Sequence, residues 1–355
     1  MADISTGSHA ARHRLDEPRK PAATQTLLPH ATRLFPKNRG ADGYAVTGVA
    51  ARCDWVLLSD HHAPQIHLHR NRATAHPRHI FLSLRAPFQA IRAFHDRILP
   101  GLSRDFVLIT GSEDITLPRQ TDARWRRFTD EEHAMMDAIL AHPNLLHWYA
   151  ENLDQGGHDK RSPLPLGLVF PGGMPDRLIQ PAPPPLAQRP LHAFCAHRHR
   201  EGPQWEARRR VSQLANGPWR AFCTQPASEL SEPAFMEQVE RHAFVLCVEG
   251  GGLDPSPKAF SALLHGAIPI IRDTALTPAY ARFPVVVVKD WSAQALSPRL
   301  LRRWHNALLP WFDEPSMRRE VLHRLSLDYW WRLIESGARL KRTGGMAIGP
   351  AGQGE

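Results

Sequence analysis

The stretch that most constrains this chain runs from Phe244 to Asp273, FVLCVEGGGLDPSPKAFSALLHGAIPIIRD. Phe244 to Val248 is an apolar run of strand length. Gly250, Gly251 and Gly252 follow, freeing the backbone for a sharp turn and for close approach to a ligand. Ser256 stands where a helix N-cap belongs, with Pro257 at the first helical position. Phe260, Leu263 and Leu264 are spaced to share one buried face, and Gly266 closes the helix. Ile268 to Ile271 makes the next strand. A helix that starts on a glycine loop offers unpaired N–H groups and a positive dipole end to a phosphate, and Lys258 adds a full charge. The same string, taken alone, also describes an ordinary strand–loop–helix connection.

The pattern of strand and helix repeats on both sides of this run. Trp55 to Leu58, His79 to Leu84 and Phe106 to Thr110 read as strands, with helices at Phe88 to Ile98 and Asp130 to Leu140, the latter capped by Thr129 or Asp130. Leu191 to Ala196, Trp219 to Cys223 and Val285 to Val288 read as further strands, with helices at Trp205 to Leu214 and Glu232 to Arg241. Alternation of this kind predicts parallel sheets covered on both faces. Between the two series, residues 171–190 hold seven prolines and two glycines, a density that predicts a linker. The expected organisation is a disordered leader over 1–42, an α/β half over 43–175 and a Pro-rich linker over 176–190. A second α/β half follows over 191–297, then helices over 298–342 and a flexible tail over 343–355.

Two segments resemble exostosin-like glycosyltransferases. The first is the run already described, whose helix ends in Gly266-Ala267-Ile268-Pro269 followed by Ile270 and Ile271. The second is HPNLLHWYAENLDQGGHDKRSPLPLGL, from His142 to Leu168, with Trp148 and Tyr149, Asn152, Lys160 and the turn Pro165-Leu166-Gly167 in the family's order. The resemblance covers roughly residues 105 to 290. It implies two Rossmann-like domains facing a cleft, the GT-B class, and transfer of a sugar from a nucleoside-diphosphate sugar to a glycan or other hydroxyl acceptor. Related sequences commonly carry Arg where Lys258 stands, and Glu, the partner of the nucleotide ribose, where this chain has Ser261. A Lys at this helix start is also similar to the fucosyltransferase group of the same class, which implies a GDP-sugar as the alternative donor.

Composition narrows the partners. The net charge is +9, spread along the chain, with Arg208, Arg209 and Arg210 its densest cluster. No zinc-finger spacing or RNA-recognition pattern accompanies it, so an anionic small substrate is expected rather than nucleic acid. No apolar run approaches membrane-spanning length, which leaves only peripheral contact with a membrane. The first twenty residues lack the apolar core of a signal peptide, and Cys53, Cys195, Cys223 and Cys247 show no Cys-x-x-Cys spacing. Small core thiols in a cytoplasmic protein are expected. His61, His62, His67 and His69 form the tightest of the histidine groups, a metal pair or a solvated basic loop.

Sugar transfer from a nucleotide builds negative charge on the departing diphosphate, so cations and N–H donors must meet there. The expected donor-site residues are Arg198 after the strand at Leu191, Glu249, Gly251, Gly252, Asp254, Ser256 and Lys258. Glu113 and Asp114, just past the strand at Phe106, are the expected general base for the acceptor hydroxyl. No Asp-x-Asp occurs, so no metal cofactor is expected. Two other readings fit the same residues: a non-catalytic binder of nucleotide sugars or glycans, and an anion-binding α/β protein unrelated to sugars.

Overall fold

The computed structural model describes residues 25–35, 43–60, 63–170, 173–180, 182–198, 200–255, 257–337 and 346–349. In chain order the strands are β1 (Gln25–Leu27), β2 (Trp55–Asp60), β3 (Ala63–Arg70), β4 (His79–Ser83), β5 (Phe106–Gly111), β6 (Leu145–Ala150), β7 (Arg161–Pro163), β8 (Leu178–Gln180), β9 (Ala193–Phe194), β10 (Cys223–Thr224), β11 (Phe244–Leu246), β12 (Ile268–Arg272) and β13 (Val286–Val288). The helices are α1 (Gly48–Arg52), α2 (Pro87–Ala93), α3 (Asp130–Ala141), α4 (Glu206–Asn216), α5 (Glu232–Arg241), α6 (Lys258–Leu264), α7 (Thr277–Tyr280), α8 (Pro298–Leu308), α9 (Pro310–Asp313), α10 (Pro315–Arg324) and α11 (Leu327–Glu335).

Two sheets carry the α/β halves. The first has the order β3-β2-β4-β5-β6-β7, with β3 antiparallel at one edge and the remaining pairs parallel. The second is parallel throughout, in the order β10-β9-β11-β12-β13. Every residue of β4 and β5 is buried, as strands covered on both faces require. Helix starts follow local chemistry. Thr129 and Glu132 form a reciprocal capping box on α3, and Ser231, Ser297 and Ser326 cap α5, α8 and α11.

Several segments differ from the sequence expectation. Within the expected leader, residues 25–35 are built into the molecule. β1 pairs antiparallel with β8, while Leu27, Ala31 and Leu34 are buried. The apolar content of this stretch, LLPHATRLF, outweighs its lack of a period. The Pro-rich linker is equally ordered where it is described. It supplies β8 and buries Leu186, and the Arg189 guanidinium donates to the carbonyls of Pro184, Val239, His242 and His265. Prolines stiffen this passage rather than loosen it. Residues 1–24 and 36–42 lie outside the described residues. The strand expected at Trp219 to Cys223 is confined to Cys223–Thr224, because Trp219 to Phe222 turn on backbone bonds after α4 and the Trp219 ring packs into the core. In the expected tail, Ile348 bridges Val286 at the edge of the second sheet. The C-terminal helices return to the first half. The Tyr149 hydroxyl donates to Leu333 O at 2.9 Å, Arg52 pairs with Asp328, and the His79 and Trp331 rings are 4.8 Å apart.

The two family-like segments meet at one contact. The Asn152 side-chain oxygen accepts from the N–H groups of both Leu253 and Asp254 at 2.9 Å. The Asp254 carboxylate in turn accepts from Leu166 N at 2.7 Å and the Tyr280 hydroxyl at 2.5 Å. Asn152 holds a left-handed backbone (φ 54°), which Asn tolerates better than most residues. Replacing Asn152 with Gly keeps that backbone accessible and deletes the amide, leaving two N–H donors without their acceptor and Glu113 O without its 3.2 Å donor. Asn152→Gly is expected to cost about 2–4 kcal/mol. Urea denaturation measures it, and a loss under about 1 kcal/mol would show that the contact does not hold the halves together.

Candidate functional site

In the second sheet the chain passes from β9 to β10 on one side and then from β10 back to β11 on the other side of β9, so a crevice opens at the carboxyl ends of these strands. A cavity of about 1370 Å3 occupies this position. Its polar part is supplied by the turn after β9 with His197 and Arg198, by Gln225 and Glu229 after β10, by Glu232 of α5 and by Lys258 and Ser261 of α6. Its remaining wall comes from segments on the side of the first half, around Phe35, Thr47 and Phe170.

Lys258 opens α6, and its ammonium nitrogen is sheltered from water with no hydrogen-bond partner among the described residues. Burial, reinforced by the nearby Arg208 charge, pushes its pKa down to about 7. Arg198 lies at the same cavity, where its guanidinium donates to Glu229 at 2.6 Å. The His197 ring nitrogen Nε2 sits 2.9 Å from Arg208 O and from Ser212 Oγ, and burial lowers its pKa, so it is held neutral. Ser261 lies one turn beyond Lys258 on the same wall, at the position where the resemblance implies a ribose-binding Glu.

The structure therefore brings Arg198 and Lys258 together and separates them from the other expected site residues. Ser256, the expected N-cap, lies outside the described residues, as do His61 and His62. Glu249 is buried in the second half, where its carboxylate accepts from Arg272 and from Trp291 Nε1. Asp254 belongs to the contact with Asn152 and Leu166. The glycines serve the same contact: a Cβ at Gly252 would collide with the Asn152 amide and Asp114 O, and one at Gly251 with the Arg124 guanidinium. Their lack of a side chain lets the first half approach the loop, and neither glycine lines the cavity. Glu113 and Asp114 do not reach the cavity. Glu113 is paired with buried Arg85, and Asp114 lies between Arg33 at 3.5 Å and Arg124 at 3.4 Å. Both carboxylates neutralise arginines at the junction of the halves.

A second cationic group adjoins that junction. Arg124, Arg200 and Arg208 stand 5.9, 5.1 and 4.9 Å from the Trp205 ring, and burial with the neighbouring Arg200 charge pushes Arg208 down to about 10. The sequence reading placed Arg208 to Arg210 on a helix without assigning this role. It also missed His197, which directly follows an expected strand, and Gln225, two residues beyond another, the position where open sheets bind ligands. Thr47 carried no sequence signal. His67 and His69 lie on the edge strand β3, where His69 pairs with Asn71 at 3.0 Å. Among the described residues no group of three or more His, Cys, Asp or Glu side chains is arranged to hold a metal ion. All four cysteines are buried free thiols, and Cys195 also borders the cavity. No helix among the described residues is long and apolar enough to cross a membrane. No protein-family model matches the chain, and no match was found among the curated proteins.

Glu151, next to Asn152, is fully buried and accepts from Ser112 N at 2.8 Å and from Thr32. Burial raises its pKa to about 8, with the Arg33 charge offsetting only part of the shift. The native carboxyl then keeps a proton that the unfolded chain has already released. Stability should therefore fall as pH rises from about 4 to 8. Glu151→Gln is expected to remove roughly 2–5 kcal/mol of that fall. Parallel denaturation curves for both proteins at the two ends of the window measure it, and equal pH slopes would refute a protonated Glu151.

Proposed function

We propose that the chain is a glycosyltransferase of exostosin-like type and GT-B class, which moves a sugar from a nucleoside-diphosphate sugar to a hydroxyl acceptor. The observation that carries this reading is Lys258, a sheltered ammonium with no partner among the described residues, on a residue that lines a large cavity at the carboxyl edge of a parallel sheet. An isolated cation in such a place is unfavourable until an anion arrives. A diphosphate supplies that anion, with Arg198 at the same wall. In the transfer, the acceptor oxygen bonds to the anomeric carbon while the bond from that carbon to the diphosphate oxygen breaks. The electron pair leaves with the diphosphate, where Lys258 and Arg198 stabilise it. The hydroxyl proton passes to a carboxylate, and Glu232 is our assignment, since Glu229 on the same cavity already holds Arg198.

The second reading is a nucleotide-sugar binder without turnover. Ser261 in place of a carboxylate favours it, as does the lack of any first-half carboxylate on the cavity among the described residues. Consumption of a nucleotide sugar to free nucleotide, measured across UDP- and GDP-sugars, separates the two.

Lys258→Ala should weaken UDP or GDP binding about ten- to a hundredfold, the worth of a charge-assisted hydrogen bond of about 1.5–3 kcal/mol. The pH trend gives a second readout. Because Lys258 loses its proton near 7, its contribution should fade between about pH 6 and 9, and the substitution should flatten that dependence. Calorimetric titrations check both, and unchanged affinity in a folded variant would remove Lys258 from the site.

Transfer is also expected to continue when divalent metal is chelated, because lysine and arginine can neutralise the leaving group. A donor-consumption assay with and without EDTA tests this. Loss of activity on chelation, restored by magnesium or manganese, would show that a carboxylate such as Glu232 holds a cation instead.

A further inference from the structure

We infer that the cavity takes, beside the donor, an alcohol with an apolar body, and that this alcohol is the acceptor; the inference rests on the glycosyltransferase reading. Volume is the first argument. Ordinary ligand pockets span roughly 300–1,000 Å3, and this cavity is about 1370 Å3. A donor anchored at Lys258 and Arg198 leaves room for a second ligand.

The chemistry of the wall is the second argument. From the first half's side the cavity is lined by Phe35, Ala45, Val169, Phe170, Met174 and their neighbours, and Thr47 is the one polar side chain there among the described residues. From α5 come Phe235 and Met236. A free glycan carries a hydroxyl on nearly every carbon and needs matching donors and acceptors, because each buried polar group left unpaired is costly. This wall cannot supply them. It suits an aliphatic chain or a ring system instead.

Thr47 is the third argument. Its hydroxyl oxygen is sheltered and has no hydrogen-bond partner among the described residues. A single unpaired hydroxyl on an otherwise apolar wall matches a ligand that lays its apolar body on this wall and presents one hydroxyl to Thr47, with any others turned to the polar part of the cavity. Thr47 would then act as a positioning residue for the attacking oxygen.

The test uses the full chain with n-octyl β-D-glucoside below its micelle concentration and free glucose as probes, titrated calorimetrically with and without UDP or GDP. Octyl glucoside should bind about a hundredfold more tightly than glucose, and should accelerate donor consumption where glucose does not. Phe170→Ser and Met236→Ser should each weaken octyl glucoside about tenfold while leaving nucleotide affinity unchanged. Thr47→Val, which keeps the shape, should weaken it about three- to tenfold. Equal affinity for the two sugars, or octyl glucoside binding that both apolar-wall variants leave unchanged, overturns the inference. If nucleotides bind and octyl glucoside does not, the donor reading survives and this inference falls. If octyl glucoside binds as stated and no nucleotide does, the apolar site stands and the donor reading falls.

Discussion

The amide of Asn152 is the contact on which the arrangement of this molecule depends. One oxygen accepts two backbone N–H groups from a loop about a hundred residues further along the chain. Asp254, the second residue it holds, reaches back to the turn at Leu166. The bonds are sheltered, so each broken one would leave a polar group without water to replace the partner. Around this contact the loop must lie flush against the first half, and a side chain at Gly251 or Gly252 would hold it away. The first residues described, the turn at Pro165 and the C-terminal helices pack around the same junction, through His30 with Pro165 O and Leu28 O with Leu327 N. The relative placement of the two sheets, and so the shape of the cavity beside them, follows from these bonds.

The cavity itself is defined by an unbalanced charge. Among the described residues most cations withdrawn from water have a counterpart: Arg85 has Glu113, Arg124 has Asp122 and Asp114, and Arg189 and Arg318 have backbone carbonyls. Lys258 has none among the described residues, and Arg208 opposes it from nearby. Folding free energy alone would not favour such a group, since burial without a partner is destabilising. Sites of this kind are where a binding requirement competes with stability. Arg200 and Arg208 beside Trp205 show a milder form of the same imbalance, because both remain partly exposed and Arg208 donates to Glu249 O.

Much of the architecture was legible from local pattern. The buried runs at His79, Phe106 and Phe244 announced themselves as strands because a parallel sheet needs apolar residues on both faces. Thr129, one of the two caps expected for α3, does start that helix through the chemistry of the first turn. Reading failed where packing overrode composition. Leu27 to Phe35 shows no period yet is drawn into the core, and the prolines of 171–190, which do lie between the two sheets, also carry a strand and a buried arginine. Of the expected site residues, Arg198 and Lys258 line the cavity, and both follow strands at the carboxyl edge of the second sheet. Glu113, Asp114, Glu249 and Asp254 occupy similar positions in sequence and were spent on ion pairs and loop contacts instead.

Although β3, β6 and β7 of the first sheet were not among the expected strands, the sequence by itself determined most strands of the two sheets and the helices between them, the start of α3, and the presence of a glycine loop followed by a cation. Each of these rests on neighbours within a few residues, where periodicity and backbone preference act. What the glycines are for was decided only by the tertiary structure. Their freedom is used to approach Asn152 and Arg124, residues remote in sequence whose nearness depends on how two sheets dock. The solitude of Lys258 was likewise invisible, because a missing partner is a property of everything folded around a residue and not of the residue itself.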